Sequence, residues 1–385
     1  MLIGQFCESY PPSLDGVGRV MLSYCKHLRA RGHRALYIAP QNRKYEAPED
    51  CETLLYGGVP VPGEAYRVGL PRLSVDYRRK AAALPFDLLH AHSPFFGARE
   101  ARRLARRLNA PLVATFHSKY YDDFLKATHS KRLANIVVRY IVRFYHSCDE
   151  VWAVNRQTGE VLESYGYKGN IVVMPNGTDP FLLSDEDRKA ALTRFPVPDG
   201  VPALIFAGQQ NFKKNPDLVL CACATLKRQG QPFFLIMVGD GPDAGKLHAL
   251  AQQLGIQENV LFTGFLSERP ILMALYERAD LLVFPSVYDN APMVVREAAV
   301  MGTPSILIQG SCSAEGVTHG QNGYLCELNH EAIAGAISGA LETAKTVGEE
   351  ARRTIPIPWD KLMETVEERY QALIKNKQKG SVHEA

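Results

Sequence analysis

The sequence predicts an α/β protein built from two doubly wound parallel-sheet domains. Three observations carry that expectation. The 385 residues exceed the usual size of one hydrophobic core. Short apolar runs alternate with helix-period segments throughout. The alternation falls into two series, parted by a polar, Pro-bearing stretch from Asp179 to Pro202. With 46% hydrophobic and 22% charged residues, the composition is that of a globular chain with a core.

The first series reads as strands at "LIGQFC", "RALYIAP", "FDLLHAHS", "PLVATFHS", "DEVWAVN" and "NIVVMPNG", with helices at "GRVMLSYCKHLRARG" and "AREARRLARRLN" between them. The second supplies "ALIFAG", "PFFLIMVGDG", "NVLFTGF", "ADLLVFPS" and "TPSILIQG". A last helical segment, "WDKLMETVEERYQALIKNKQK", follows the break "IPIP" at 355 to 358. The expected division is therefore 1–180 with 358–385, a linker over 181–200, and 201–357. Ligands of open α/β sheets sit outside the carboxyl ends of the strands, so the loops of both domains are expected to border a shared cleft.

No apolar run approaches the ~20 residues that span a bilayer, and "MLIGQFC" lacks the basic flank and apolar core of a signal peptide. A cytoplasmic protein is expected. Its eight cysteines form no C-x-x-C pair and lie mostly in apolar runs, which suits reduced thiols rather than disulfides or structural zinc. His90 and His92 in "HAHSP" invite a metal reading, but no carboxylate or Cys stands beside them.

Charge is unevenly spread. Residues 99 to 146 hold 11 Lys/Arg against 3 Asp/Glu, while the rest holds 33 against 38. In "KRLANIVVRYIVRFY", Arg132, Asn135, Arg139 and Arg143 share one helical face, and Leu133, Ile136, Val137, Tyr140, Ile141 and Phe144 the other. Such a helix either lies in an anionic membrane surface or buries its apolar face in the domain. Nucleic acid is not expected, because aromatic interleaving and a recognisable module are both missing.

The stretch "YDNAPMVVREAAVMGTPS", residues 288 to 305, carries the most chemistry. A strand ends before it, Asp289 lies in the following loop, Pro292 suits a helix start and Gly302 a helix end. The first-turn N–H groups of Met293, Val294 and Val295 then form an anion site, with phosphate the natural guest. Carboxylates beside a phosphate are better aimed at neutral hydroxyls, so Asp289 and Glu297 are read as hydroxyl acceptors. Phosphate plus many hydroxyls describes a nucleotide sugar. The plainer reading is a capping Asp and a helical Glu.

The segment resembles the signature of retaining glycosyltransferases of family 4, which have the GT-B fold of two Rossmann-like domains. The resemblance implies that Asp289, in place of the commoner Glu, meets the hydroxyls of the transferred sugar, and Glu297 the nucleotide ribose. It extends over essentially the whole chain. "PPSLDGVGR" resembles the first Gly-rich loop, where Gly16 and Gly18 admit the donor phosphates. "TFHS" puts His117 where the family keeps a histidine facing the reacting sugar. "FAGQQNFKKN" resembles the diphosphate clamp, with Lys214 at the Lys position and Gln209, which brings no charge, at the Arg position.

The resemblance implies transfer from a nucleoside diphosphate sugar, UDP-glucose being the expected donor, with retention and no metal or other cofactor. "SPFFG" and "FHSKYYDDFL" resemble segments of bacterial glycolipid synthases, including diacylglycerol glucosyltransferases. The expected acceptor is accordingly a membrane lipid, reached from the inner face of the cell membrane. Two alternatives stand beside it: a saccharide or polyprenyl-linked acceptor, and a nucleotide-sugar-binding protein without turnover.

Overall fold

The computed structural model describes residues 1–9, 16–41, 51–60 and 67–383. The chain divides into two units, residues 1–177 with 359–385 and residues 178–358. The first holds strands β1 (Leu2–Phe6), β2 (Arg34–Pro40), β3 (Glu52–Tyr56), β4 (Gly58–Pro60), β5 (Arg67–Gly69), β6 (Leu88–Ala91), β7 (Leu112–Phe116), β8 (Glu150–Ala153) and β9 (Ile171–Val173). Its helices are α1 (Gly16–Ala30), α2 (Val75–Ala83), α3 (Phe96–Leu108), α4 (Tyr120–Thr128), α5 (Lys131–Tyr145) and α6 (Arg156–Ser164). Seven strands form a parallel sheet in the order β3-β2-β1-β6-β7-β8-β9, and β4 and β5 make a small antiparallel pair.

The second unit contains α7 (Asp185–Arg194), β10 (Ala203–Ala207), α8 (Pro216–Arg228), β11 (Phe234–Val238), α9 (Ala244–Gln253), β12 (Val260–Gly264) and α10 (Arg269–Arg278). It continues through β13 (Leu281–Phe284), α11 (Met293–Val300), β14 (Ser305–Ile308), β15 (Tyr324–Cys326), α12 (His330–Ala340) and α13 (Ala344–Thr354). Its parallel sheet runs β12-β11-β10-β13-β14-β15. Both sheets reverse strand order once, between β1 and β6 and between β10 and β13. Loops leaving the two strands at such a reversal diverge and open a crevice.

The chain returns to its first unit through α14 (Trp359–His383). Trp359, Leu362, Met363, Val366 and Tyr370 recur at helical spacing and are buried. Trp359 stacks on His27, Tyr370 stacks on Trp152, and a Cβ on Gly177 would run into the Trp359 indole.

Two expectations are corrected. Residues 181–200 are no linker: they carry α7, capped by a reciprocal Ser184–Asp187 pair and tied to α10 by Arg188–Glu277 at 2.6 Å. The helix is polar nearly all round, so it leaves no apolar period to read. The sheets also have one more strand each than expected, β3 and β15, both at edges. None of the eight cysteines is joined in a disulfide.

Candidate active site

At the β10/β13 reversal, Gln209 and Lys214 leave on one loop and Asp289 on the other. The Gln209 loop packs so tightly on the turn after β11 that a Cβ on Gly239 would strike the Gly208 carbonyl, and one on Gly241 that of Gln210. Gly239, at φ +123°, also needs the left-handed region. Gln209 is exposed beyond this anchored turn. Lys214 reaches across the crevice, its Nζ donating to Asp289 Oδ1 at 2.7 Å. Ser286 holds the other oxygen, its Oγ donating to Asp289 Oδ2 at 2.6 Å, and Ser313 donates to the Asp289 carbonyl at 3.1 Å. The carboxylate is thus held at both oxygens, and the backbone beneath it at a third point.

Pro292 is the N-cap of α11 and has no side chain to cap it, so the amides of Met293, Val294 and Val295 form the helix's uncapped first turn. Gly302, at φ +82°, ends the helix as expected. Glu297 lies one turn into α11, nearly buried, and accepts from Arg269 Nη1 at 2.9 Å. Arg269 opens α10, and sequence reasoning missed it: nothing local links it to a glutamate 28 residues later. The crevice therefore couples two cations, two carboxylates and a helix N-terminus.

In the first unit, His117 follows β7 and joins a buried network. Gln5 Nε2 donates to Tyr370 Oη at 3.3 Å, so Gln5 Oε1 receives the Nε2 proton of His92 at 2.8 Å. His92 Nδ1 is then an acceptor, and His117 donates to it from Nε2 at 3.2 Å. Tyr370 in turn donates to His90 Nδ1 at 2.5 Å, and His90 Nε2 to Thr115 Oγ1 at 2.7 Å. Burial lowers all three imidazoles, His117 to about 3 and the other two well below their usual value. They are neutral, and their rings lie side by side, His90 and His92 stacked at 4.2 Å. His90 and His92 are thereby structural.

Gly16 and Gly18 occupy the first turn of α1 rather than a loop, with Gly16 exposed and Gly18 buried. The rest of their motif, 11–15, lies outside the described residues.

Helix α5 is amphipathic in a different sense from that expected. Ala134, Val138, Ile141, Val142, Phe144 and Tyr145 are buried, whereas Leu133, Ile136 and Tyr140 are 49%, 55% and 38% exposed. These three stand among exposed Lys131, Arg132, Arg139 and Arg143. Arg99 of α3 stacks on Tyr140 and on the exposed Phe96. No described helix is long and apolar enough to cross a membrane.

Residues 14–181 match the model of Glycosyltransferase Family 4, and residues 187–355 that of Glycosyl transferases group 1. The chain is 26% identical over 349 residues to the alpha-monoglucosyldiacylglycerol synthase of Streptococcus pneumoniae, covering 88% of this chain and 75% of that protein. It is 27% identical over 335 residues to a GDP-mannose-dependent alpha-mannosyltransferase of Corynebacterium glutamicum, covering 85% and 77%. Its fold resembles the crystal structure of Anabaena HepE in complex with UDP and glucose, with a TM-score of 0.78 at 19% identity, over 96% of this chain and 99% of that one.

Proposed function

The chain belongs to the glycosyltransferases, to family 4 through its N-terminal half and to group 1 through its C-terminal half, and on that premise we propose that it transfers glucose from UDP-glucose, with retention, to the hydroxyl of a membrane lipid such as diacylglycerol. The observation that carries the donor side is the convergence of Lys214, Asp289 and the uncapped first turn of α11 at one strand-order reversal. A diphosphate on the amides of Met293, Val294 and Val295 gains the helix dipole and the Lys214 charge. Both act most strongly when negative charge grows on the departing phosphate, so they favour the transition state over the ground state.

Drawing Lys214 to the phosphate leaves Asp289, still gripped by Ser286, to accept from a sugar hydroxyl. Glu297, oriented by Arg269, is assigned to the ribose, and Gln209 donates an uncharged hydrogen bond. Gly16 and Gly18, in the first turn of α1, are assigned to the close approach of the donor phosphates. His117, its Nε2 directed at His92, is assigned to face the reacting sugar. Protein groups neutralise the diphosphate, so EDTA is expected to leave turnover unchanged.

The acceptor side is supported by the apolar trio Leu133, Ile136 and Tyr140 set among cations, which suits peripheral docking on an anionic membrane. Two relatives named as glycolipid synthases agree. The test is product formation from radiolabelled UDP-glucose with phosphatidylglycerol vesicles containing diacylglycerol. Labelled lipid, lost when both Leu133 and Ile136 are replaced by Glu and the protein no longer floats with vesicles, is the expected result. UDP and glucose without labelled lipid would keep the donor and move the acceptor to a saccharide. Failure to consume UDP-glucose would overturn the donor.

A further inference from the structure

Two of the eight cysteines meet in the first unit. Cys25 lies on the buried face of α1, with no exposed surface. Its side chain is hydrogen-bonded to that of Cys51, which immediately precedes the edge strand β3. Strand β2 separates the two in sequence, so the contact is made by the fold. Cys51 is only partly buried, and solvent reaches it.

The two sulfurs have different surroundings. Burial pushes the Cys25 thiol well up, and Cys51 beside it adds to the rise, so Cys25 keeps its proton and donates. That hydrogen bond is the largest influence on Cys51 and lowers its thiol; Arg29, one turn after Cys25 on the same face of α1, lowers it further. The nearest carboxylate, Glu52, opposes this weakly, since Arg34 Nε donates to it at 2.9 Å. The acceptor for the Cys51 proton is the Glu52 carbonyl at 3.9 Å, a long contact that holds the proton loosely. Burial pushes Cys148, Cys221, Cys223 and Cys326 the other way. An accessible thiol with thiolate character, in contact with a second, protonated thiol, is the arrangement that peroxide oxidises and the second thiol resolves.

We propose that Cys51 is a site of oxidation by hydrogen peroxide, and that Cys25 closes it to a disulfide joining α1 to the start of β3. The Cys51 thiolate attacks one peroxide oxygen, and the O–O bond breaks. The other oxygen leaves as hydroxide, takes up the proton that Cys51 gave up and becomes water. The Cys25 sulfur then attacks the sulfur of the Cys51 sulfenic acid, whose hydroxyl leaves with the Cys25 proton as a second water. The two thiols lose two electrons and two protons, and one peroxide becomes two waters. The bond closes the chain between residues 25 and 51, which restrains the unfolded state and so stabilises the oxidised first unit. No step of glycosyl transfer is needed for this chemistry.

The test treats the reduced 385-residue chain with hydrogen peroxide and maps its non-reduced peptides by mass spectrometry. The expected product joins the Cys25 and Cys51 peptides with the loss of two hydrogens, and dithiothreitol restores both. Its urea midpoint, read by tryptophan fluorescence, should exceed that of the reduced chain by about 1 M. Cys25→Ala should stop at a Cys51 sulfenic acid that dimedone traps. Cys51→Ser, at a partly exposed position, should form no disulfide and keep one midpoint with or without peroxide. Without peroxide, iodoacetamide should alkylate Cys51 at least tenfold faster than Cys221, also partly exposed. A bond from Cys25 to Cys7, a Cys51 sulfinic acid beside a free Cys25, or equal alkylation of Cys51 and Cys221 would overturn the inference. An unchanged midpoint in the bonded form would overturn the stabilisation. Should Cys25→Ala fail to fold, the wild-type peptide map and Cys51→Ser still decide.

Discussion

The two strand-order reversals occupy equivalent places in their sheets, yet their polar groups are opposite in kind. At β10/β13 the side chains are charged and matched, Lys214 with Asp289 and Arg269 with Glu297, around a helix N-terminus. At β1/β6 they are neutral or near-neutral: three uncharged imidazoles and, at the end of β1, the Glu8 carboxyl, which burial raises to about 7. One scaffold thus carries two kinds of polar cluster. Paired charges can re-partner with a diphosphate, whereas a crevice of neutral groups offers a phosphate no counter-charge. The loops decide, because the sheets beneath are alike.

The charged crevice is broken most severely through Lys214. On the proposed function, Lys214→Ala removes the cation assigned to the leaving phosphate and leaves Asp289 repelling it, so kcat/KM for UDP-glucose should fall by about 10²–10³. Steady-state turnover checks this, and a loss below tenfold would move the clamp elsewhere.

The neutral crevice should show itself in acid. The folded His117 pKa, about 3, lies below its ordinary 6.5. The unfolded chain therefore binds more protons between those values, and stability present above pH 6.5 is lost as pH falls. For His117 alone the loss between pH 7 and pH 5 is about 2 kcal/mol, and His90 and His92 shift in the same direction. Both tryptophans, Trp152 and Trp359, belong to the first unit, so their fluorescence in urea reports that unit. A midpoint independent of pH would mean that the network is charged or open to water.

The sequence and the structure part company in instructive places. Every strand expected from an apolar run exists, because a strand buried on both faces must be continuously apolar. The edge strands β3 and β15 escaped: "ETLLY" mixes polar residues, and "YLC" is three residues long. The first-turn amides of α11 were legible from strand, loop, Pro and apolar helix in succession. The partners of its carboxylates were not, since Arg269 and Lys214 reach them from 28 and 75 positions away. On α5, periodicity identified an apolar stripe but not that packing would cover only part of it.

Arg269→Ala tests whether the second ion pair matters as much as the first. Glu297 would be left nearly buried without its cation; because Arg269 is partly exposed, the cost should be about 1–2 kcal/mol, below the 3–5 of fully buried pairs. The expected reading is a donor KM raised roughly tenfold with kcat little changed, since a ribose contact is made equally in ground and transition states. A kcat effect as large as that of Lys214→Ala would place Arg269 on the phosphates instead.

The smallest effect concerns Gln209, where the family's charge is missing. Its side chain is exposed on a turn that Gly239 and Gly241 hold firmly, so Arg fits there without disturbing the core. A charged hydrogen bond to phosphate contributes about 1 kcal/mol more than an amide's, which predicts roughly fivefold tighter UDP binding in Gln209→Arg by calorimetry. The gain should shrink as salt rises, because part of it is Coulombic. Lys213 is the competitor: its ammonium rests on the Tyr288 ring at 4.9 Å, within the same crevice. If Lys213 already neutralises the phosphate, Gln209→Arg gains nothing and Lys213→Ala loses what Gln209→Arg was expected to add, so the pair of variants locates the second charge of the clamp.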